Sequence, residues 1–182
     1  MEFVMRIAFL SSALLLLILA SRSTRAQESI SLPSGGMLTF NSNYGKTRFV
    51  IRNRNGAVSR FLGMRDSTVS PISNPTKVKI VGEVKDLALI VLDTYPSIPN
   101  GMSFCQAGQE SFLRVISLTS KRPVETFKVK LESCRDGIEL SADGVVWIPE
   151  SSSIRVHWMV SPYLVGQPEM RVFKIGIDGQ VN

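Results

Sequence analysis

Hydrophobic and polar residues alternate with a period of two along much of the chain. Within the segment 124–132, for example, Phe127, Val129 and Leu131 alternate with polar residues. This pattern predicts strands that have one buried face and one exposed face. The segments with strand character are 37–40, 47–52, 77–80, 87–93, 112–119, 124–132, 145–148, 154–159 and 172–177.

Clusters of Gly, Pro, Asn, Asp and Ser separate these segments, as at Pro33–Gly36, Asn53–Gly56 and Asp143–Gly144. Such residues favour tight turns. Many short strands at close spacing predict an all-β fold, an antiparallel sandwich or barrel of about eight to ten strands. One or two turns of helix are predicted only at Ala57–Arg65, where Gly63 weakens the helical pattern.

The first residues of the chain have a different character. A short segment with one arginine precedes an uncharged apolar run, Ile7–Ala20, which is shorter than the ~20 residues that a membrane-spanning helix needs. Thr24 and Ala26 then place small residues two positions apart. This order predicts a cleavable signal peptide over 1–26, followed by a single β-rich domain over 27–182. A membrane anchor or a buried N-terminal helix is the alternative.

The charge of the predicted mature domain is mildly basic. Cleavage of the signal peptide removes three of the 21 basic and one of the 15 acidic residues, which leaves a net charge of +4. Nucleic-acid binding calls for a basic stripe with aromatic residues or a known module, and the sequence has neither. We therefore expect a periplasmic or secreted protein with no transmembrane segment in the mature chain. Its partner is expected to be another protein, and the sequence leaves the oligomeric state open.

Two cysteines, Cys105 and Cys134, flank a predicted hairpin. Its strands, 112–119 and 124–132, are joined by a turn, so the open ends of the hairpin bring the cysteines together. Pairing is the expectation for an exported protein, because such proteins mature in oxidising compartments. Two cysteines and a single histidine do not make a convincing zinc site. The sequence therefore predicts one disulfide and neither a metal nor a cofactor.

No catalytic set stands out in the sequence. A Ser–His–acid triad would have to use His157, the only histidine, and the sequence names no partners for it. Asp136, Glu139 and Asp143 form an acidic group near Cys134, and glycosidase chemistry needs two carboxyl groups across a cleft. One alternative function is therefore a small envelope hydrolase that uses carboxylates near Asp136. It requires Asp136, Glu139 and His157 to converge.

The segment from Tyr95 to Phe104 is rich in turn residues and also carries large apolar side chains. Apolar and aromatic residues on a loop beside a disulfide are suited to a preorganised binding edge. The alternative is that they cap the open end of the core. The predicted binding residues combine this segment with basic strand positions: Tyr95, Ile98, Met102, Phe104, Arg114, Lys128 and Lys130.

An export signal without a catalytic set favours a protein-binding function. The examples that fit are an enzyme inhibitor, or an immunity protein that blocks an envelope-directed enzyme or toxin by occlusion. A further alternative is an adhesin, pilus or chaperone-type assembly module. That function needs an unpaired edge strand, for which the C-terminal segment Val172–Val181 is the candidate.

Overall fold

The structure is a computed structural model that describes residues 29–43, 46–63, 66–69, 74–98, 105 and 108–182. The predicted signal peptide lies outside these residues, and so do Met102 and Phe104. The described residues form eleven strands: β1 (Ser29–Ser31), β2 (Met37–Asn43), β3 (Lys46–Arg52), β4 (Val58–Leu62), β5 (Lys77–Val84), β6 (Ala88–Pro96), β7 (Gln109–Ser117), β8 (Val124–Ser133), β9 (Glu139–Ile148), β10 (Ser153–Val160) and β11 (Glu169–Lys174).

The strands form three antiparallel sheets. The first has the order β1-β2-β3-β4, the second β5-β6-β7-β8 and the third β11-β10-β9. Each strand of the first two sheets pairs with its neighbour in sequence, as expected where short turns connect antiparallel strands. The prediction of an all-β antiparallel fold is confirmed.

The second sheet lies in the middle of a sandwich-like stack, because its two faces contribute to two different cores. Residues of β6 such as Ile90 pack with Ile154 and Trp158 of the third sheet. Leu89, which precedes Ile90 and lies on the opposite face, packs with Phe49 of the first sheet. A strand that is buried on both faces reads as a continuous apolar run. This explains why β6 and β7 are almost entirely buried along their length.

The prediction of helical turns at Ala57–Arg65 is wrong, because this segment contains the strand β4. It pairs with β3, and the ring of Phe61 stacks on that of Phe49 with their centroids 4.9 Å apart. Strand pairing and burial of this ring outweigh a weak local helical preference. With β1, which is too short to show a period, β4 raises the number of strands above the predicted range.

The predicted disulfide is confirmed. Strands β7 and β8 pair as an antiparallel hairpin, and Cys105 and Cys134 lie at its open end. Their Cα atoms are 5.7 Å apart, a normal separation for a disulfide. The bond closes a loop across 29 positions of sequence. It ties the connection that follows β6 to the end of β8.

We expect truncation of either face of the central sheet to destabilise the fold. Leu89→Ala should remove packing against the first sheet and Leu113→Ala packing against the third, at about 2–5 kcal/mol each. Leu164→Ala, at an exposed position, is the control and should change the free energy of unfolding by less than about 0.5 kcal/mol. Urea unfolding monitored by circular dichroism measures all three. A small effect of either core variant would contradict burial on both faces.

Candidate binding site at the disulfide-linked end of the central sheet

One face of the central sheet changes from apolar to charged along its length. On β6, Leu89 and Val91 face the first sheet, and the next residues in the same phase are Asp93 and Tyr95. All four are buried. Arg114 of β7 binds Asp93 at this point and Glu125 of β8 binds Arg114, so the core ends in a polar network rather than in solvent. We call Asp93, Tyr95, Arg114 and Glu125 the Arg114 cluster.

Arg114 is the centre of this cluster. Its Nε donates to both carboxylate oxygens of Asp93, at 2.9 and 2.7 Å, and its Nη1 donates to Glu125 Oε2 at 2.8 Å. Tyr95 Oη donates to Asp93 Oδ2 at 2.6 Å. The guanidinium therefore links strands β6, β7 and β8 through charge-assisted hydrogen bonds, which are the stronger class.

The environment of Arg114 favours its charged form. Burial alone would lower the pKa of the guanidinium, but the charges of Asp93 and Glu125 outweigh that effect and raise the pKa. Gly63, just after β4, leaves the room that the guanidinium occupies. A Cβ atom at Gly63 would lie 3.0 Å from the Phe49 ring and 3.3 Å from Arg114 Nη1. The cluster thus lies where the first sheet meets the central sheet.

A second group of charges lies beside the first and is called here the lysine cluster, comprising Asp66, Thr68, Lys128, Lys130 and Asp136. Lys128 Nζ lies 3.4 Å from Asp66 Oδ2, and Lys130 Nζ lies 3.3 Å from Asp66 Oδ1. Lys130 also contacts the carboxylate of Asp136 and the hydroxyl of Thr68. The lysines therefore attach the segment around Asp66 to β8.

Phe112 joins the two clusters. Its buried ring lies under three cations, with Arg114 Cζ at 5.3 Å, Lys128 Nζ at 5.3 Å and Lys130 Nζ at 5.8 Å from the centroid. Cations over an aromatic face are attracted by its quadrupole. The ring holds the basic side chains in one layer between their carboxylate partners.

The carboxylate of Asp66 is strongly stabilised in its charged form. Burial would raise its pKa, but hydrogen bonds from the hydroxyl and backbone N–H of Thr68, together with the charges of Lys130 and Lys128, lower the pKa from 3.8 to about 2. Asp66 and Thr68 thus form a compact turn with a fixed negative charge. That charge holds the two lysines on the sheet.

The connection that follows β6 is fixed at both of its ends. Ser97 N–H donates to Gly108 O at 3.0 Å, and Ile98 N–H donates to Thr68 O at 3.0 Å. Ser97 Oγ donates to the buried Glu110 at 2.6 Å. A Cβ atom at Gly108 would lie 2.6 Å from Cys134 Cβ, so only glycine allows this close approach to the disulfide.

The structure brings four of the described members of the predicted binding site together around Phe112, whereas Ile98 lies in the connection that follows β6. Tyr95 and Arg114 are each only 3% exposed, and Tyr95 belongs to β6 rather than to a loop. Lys128 and Lys130 are half-buried in ion pairs, and Ile98 is half-buried. The contact of these residues with a partner stays a prediction, as does the role of Met102 and Phe104.

Several residues of this network were missed by sequence reasoning, namely Asp66, Asp93, Glu110 and Glu125. A usable signal existed for Asp93, because it keeps the phase of Leu89 and Val91 on a buried face. A charged residue in phase with a buried run needs a partner on a neighbouring strand. No such signal exists for Asp66, since only the tertiary structure brings it to β8.

The carboxylates of the hydrolase alternative take part in separate contacts. Asp136 binds Lys130, whereas His157 Nδ1 lies 3.0 Å from Asp143 Oδ1 on the exposed face of the third sheet. Ser141 also donates to Asp143, which lowers the pKa of that carboxyl together with the His157 contact. The acid therefore lies between serine and histidine, whereas a nucleophilic triad needs the histidine in the middle.

A cleft of about 650 Å³ lies at the other end of β6. Leu32, Ile51 and Leu118 line its apolar part, and Arg54 and Glu83 are among its polar residues. Among the described residues, no group of His, Cys, Asp or Glu is placed to hold a metal ion. The same residues contain no helix of the length and hydrophobicity needed to cross a membrane.

Comparisons with protein-family models, with curated proteins and with solved structures gave no match to this chain.

We expect Arg114→Ala to destabilise the protein by about 3–5 kcal/mol, because it leaves Asp93 and Glu125 buried without their cation. Arg122→Ala is the control, since Arg122 is exposed in the turn between β7 and β8. Its cost should stay below about 0.5 kcal/mol. Chemical denaturation of both variants provides the comparison. Equal costs would show that the buried guanidinium has no special role.

Asp66 should make the free energy of unfolding depend on pH in the acidic range. Because its pKa is about 2 in the folded chain, below its ordinary value of 3.8, its carboxylate favours folding above roughly pH 4. This contribution is lost as the pH falls toward 2. We expect the free energy of unfolding to fall less between pH 4 and 2 in Asp66→Asn than in the unsubstituted protein. Parallel pH dependence in the two proteins would rule out the ion pairs as the cause.

Proposed function

We propose that this chain is an exported protein-binding domain, of the inhibitor or immunity type, which blocks a partner by inserting the segment between Ile98 and Cys105. The observation that carries the proposal is the double attachment of this segment. Backbone hydrogen bonds hold Ser97 and Ile98 at its start, and the disulfide holds Cys105 at its end. Both attachments fix the segment to the same end of the central sheet.

Attachment of this kind favours tight binding. A segment whose ends are fixed loses less conformational entropy when it binds a partner. Its sequence, Pro99 to Phe104, supplies Met102 and Phe104 as large apolar side chains. Aromatic and Met side chains are enriched in the buried centres of protein interfaces. The proposed mechanism is steric occlusion, in which these side chains enter a cleft of the partner.

The two charged clusters have a supporting role in this proposal. Tyr95 and Arg114 are buried, so we assign them to the support of the sheet that holds the ends of the segment rather than to contact with the partner. Lys128 and Lys130 are 18% and 13% exposed, respectively, and their charges are matched by Asp66 and Asp136. We assign the two lysines to the rim of the interface, where charges affect association rate and specificity more than affinity.

Capture of a partner by the exported protein tests this proposal. The protein, bound to a support under non-reducing conditions, should retain one stoichiometric protein from envelope or secreted fractions. The double variant Met102→Ser/Phe104→Ser should lose at least about 2 kcal/mol of binding free energy to the isolated partner, as removal of interface hot spots does. Isothermal titration calorimetry measures this loss.

The matched control is Val165→Ser, which removes an exposed apolar side chain from the loop between β10 and β11. It should bind the partner with unchanged affinity. If the double variant binds as tightly as the control, the assignment of the segment is wrong. If no protein is captured at micromolar bait, the protein-binding function itself is wrong, and small-molecule screening against the cleft becomes the next step.

A further inference from the structure

Strand β11 is an edge strand of the third sheet, and its backbone shows which residues have open hydrogen-bonding groups. Ile175 N–H donates to Ser152 O at 2.9 Å, on the side of β10. Lys174 exchanges two hydrogen bonds with Asn182, at 3.2 and 2.9 Å, on the opposite side. Because backbone groups alternate between the two edges of a strand, those of Met170 and Val172 point in the same direction as those of Lys174, away from β10.

The side chains at this edge are unusually apolar for a surface. Met170 is 61% exposed and Val172 is 57% exposed. Met159 of β10 is also exposed, on the face of the sheet that points away from the core. Natural proteins usually protect such an edge with charges, prolines or covering segments. An open edge with exposed Met and Val side chains is a surface suited to strand pairing.

The open part of the edge is short and has defined limits. Pro168 precedes β11 and carries no N–H, so it cannot extend a hydrogen-bonded ladder as a donor. At the other end, Asn182 already occupies the backbone groups of Lys174. Between these limits the open groups belong to Met170 and Val172. A partner strand must therefore be short and must match this window.

We propose that a second copy of this chain occupies the window, with the two β11 strands paired antiparallel about a two-fold axis. In the proposed register Met170 faces Met170 of the other copy, and Glu169 faces Arg171 of the other copy. Within one copy Arg171 Nε already pairs with Glu169 Oε1 of the same strand at 2.5 Å. The two-fold axis places the two pairs side by side, so that each Glu169 also faces an Arg171 of the other copy. Opposite charges across neighbouring strands stabilise an antiparallel pair.

A neighbouring register that also brings the outward backbone groups of the two strands together fits less well. A shift by one residue on each strand in the C-terminal direction places Arg171 against Arg171 of the other copy, and directly opposed like charges are unfavourable. That shift also moves Pro168 of the other copy onto the position that Asn182 occupies beside Lys174. The proposed register avoids both conflicts. Its backbone bonds join Met170 to Met170, and Val172 N–H to the carbonyl of Pro168.

This inference goes beyond the proposed function and does not depend on it. The two ends of the binding segment, Ile98 and Cys105, lie at the disulfide-linked end of the central sheet, whereas β11 belongs to the third sheet. The two surfaces share no residue. Dimerisation through β11 would join two three-stranded sheets into one sheet of six strands and would present two binding segments in one particle.

Hydrogen exchange of the Met170 and Val172 amides, measured by NMR on the protein purified after export, tests the geometry directly. These N–H groups face solvent in one copy alone but donate across the interface in the dimer, so their exchange should slow as the protein concentration rises. Sedimentation should show the mass doubling over the same range. Fast exchange at both amides with a monomeric mass at every concentration overturns the proposal.

Two sets of variants locate the interface. Val172→Pro removes an outward N–H that β10 does not use and should abolish the dimer, whereas Val172→Thr should retain it. Arg171→Glu should also abolish the dimer, and the exchange Glu169→Arg/Arg171→Glu should restore it because the complementary pair is re-formed. The charge variants keep the test valid if the proline variant fails to fold. A dimer that persists in Arg171→Glu places the contact elsewhere and refutes the proposal.

Discussion

The central sheet is covered on both faces, and this constraint shapes the rest of the molecule. Strands β6 and β7 have no solvent-exposed face on which a charged side chain could lie. A charged residue in these strands must therefore be paired inside the protein or be excluded from it. Asp93 and Arg114 follow this rule, because each neutralises the other at the point where the apolar packing ends.

This arrangement divides the central sheet into two ends with different properties. Near the β5–β6 turn the sheet packs against the first sheet through apolar side chains, and rigid packing of this kind specifies strand register. At the other end, ion pairs attach Asp66 and Asp136 to β8, and the disulfide fixes the connection that follows β6. The two ends of this connection are therefore held at the same end of the sheet.

The third sheet, in contrast to the central sheet, has one buried face and one exposed face. Its inner face supplies Ile154, Trp158 and Phe173 to the core, as the alternating pattern requires. Its outer side keeps Met170 and Val172 exposed beside open backbone groups. The charges of β11 are arranged so that the strand can pair with a copy of itself in one register. The two proposed association sites are therefore separate, one at the connection that follows β6 and one at the edge of β11.

The sequence by itself determined most of the strands, the turns and the disulfide, because these depend on local alternation, on turn residues and on the position of two cysteines around one hairpin. It did not reveal β4, since the strand is stabilised by Phe49 and by pairing with β3 rather than by local preference. The sequence predicted Arg114 as a binding residue, but only the tertiary structure showed that it is buried and paired with two carboxylates from neighbouring strands. The contact between Asp66 and β8 is likewise visible only in the tertiary structure. Asp66 and Lys128 are 62 positions apart in the sequence, and no local pattern encodes the approach of distant segments.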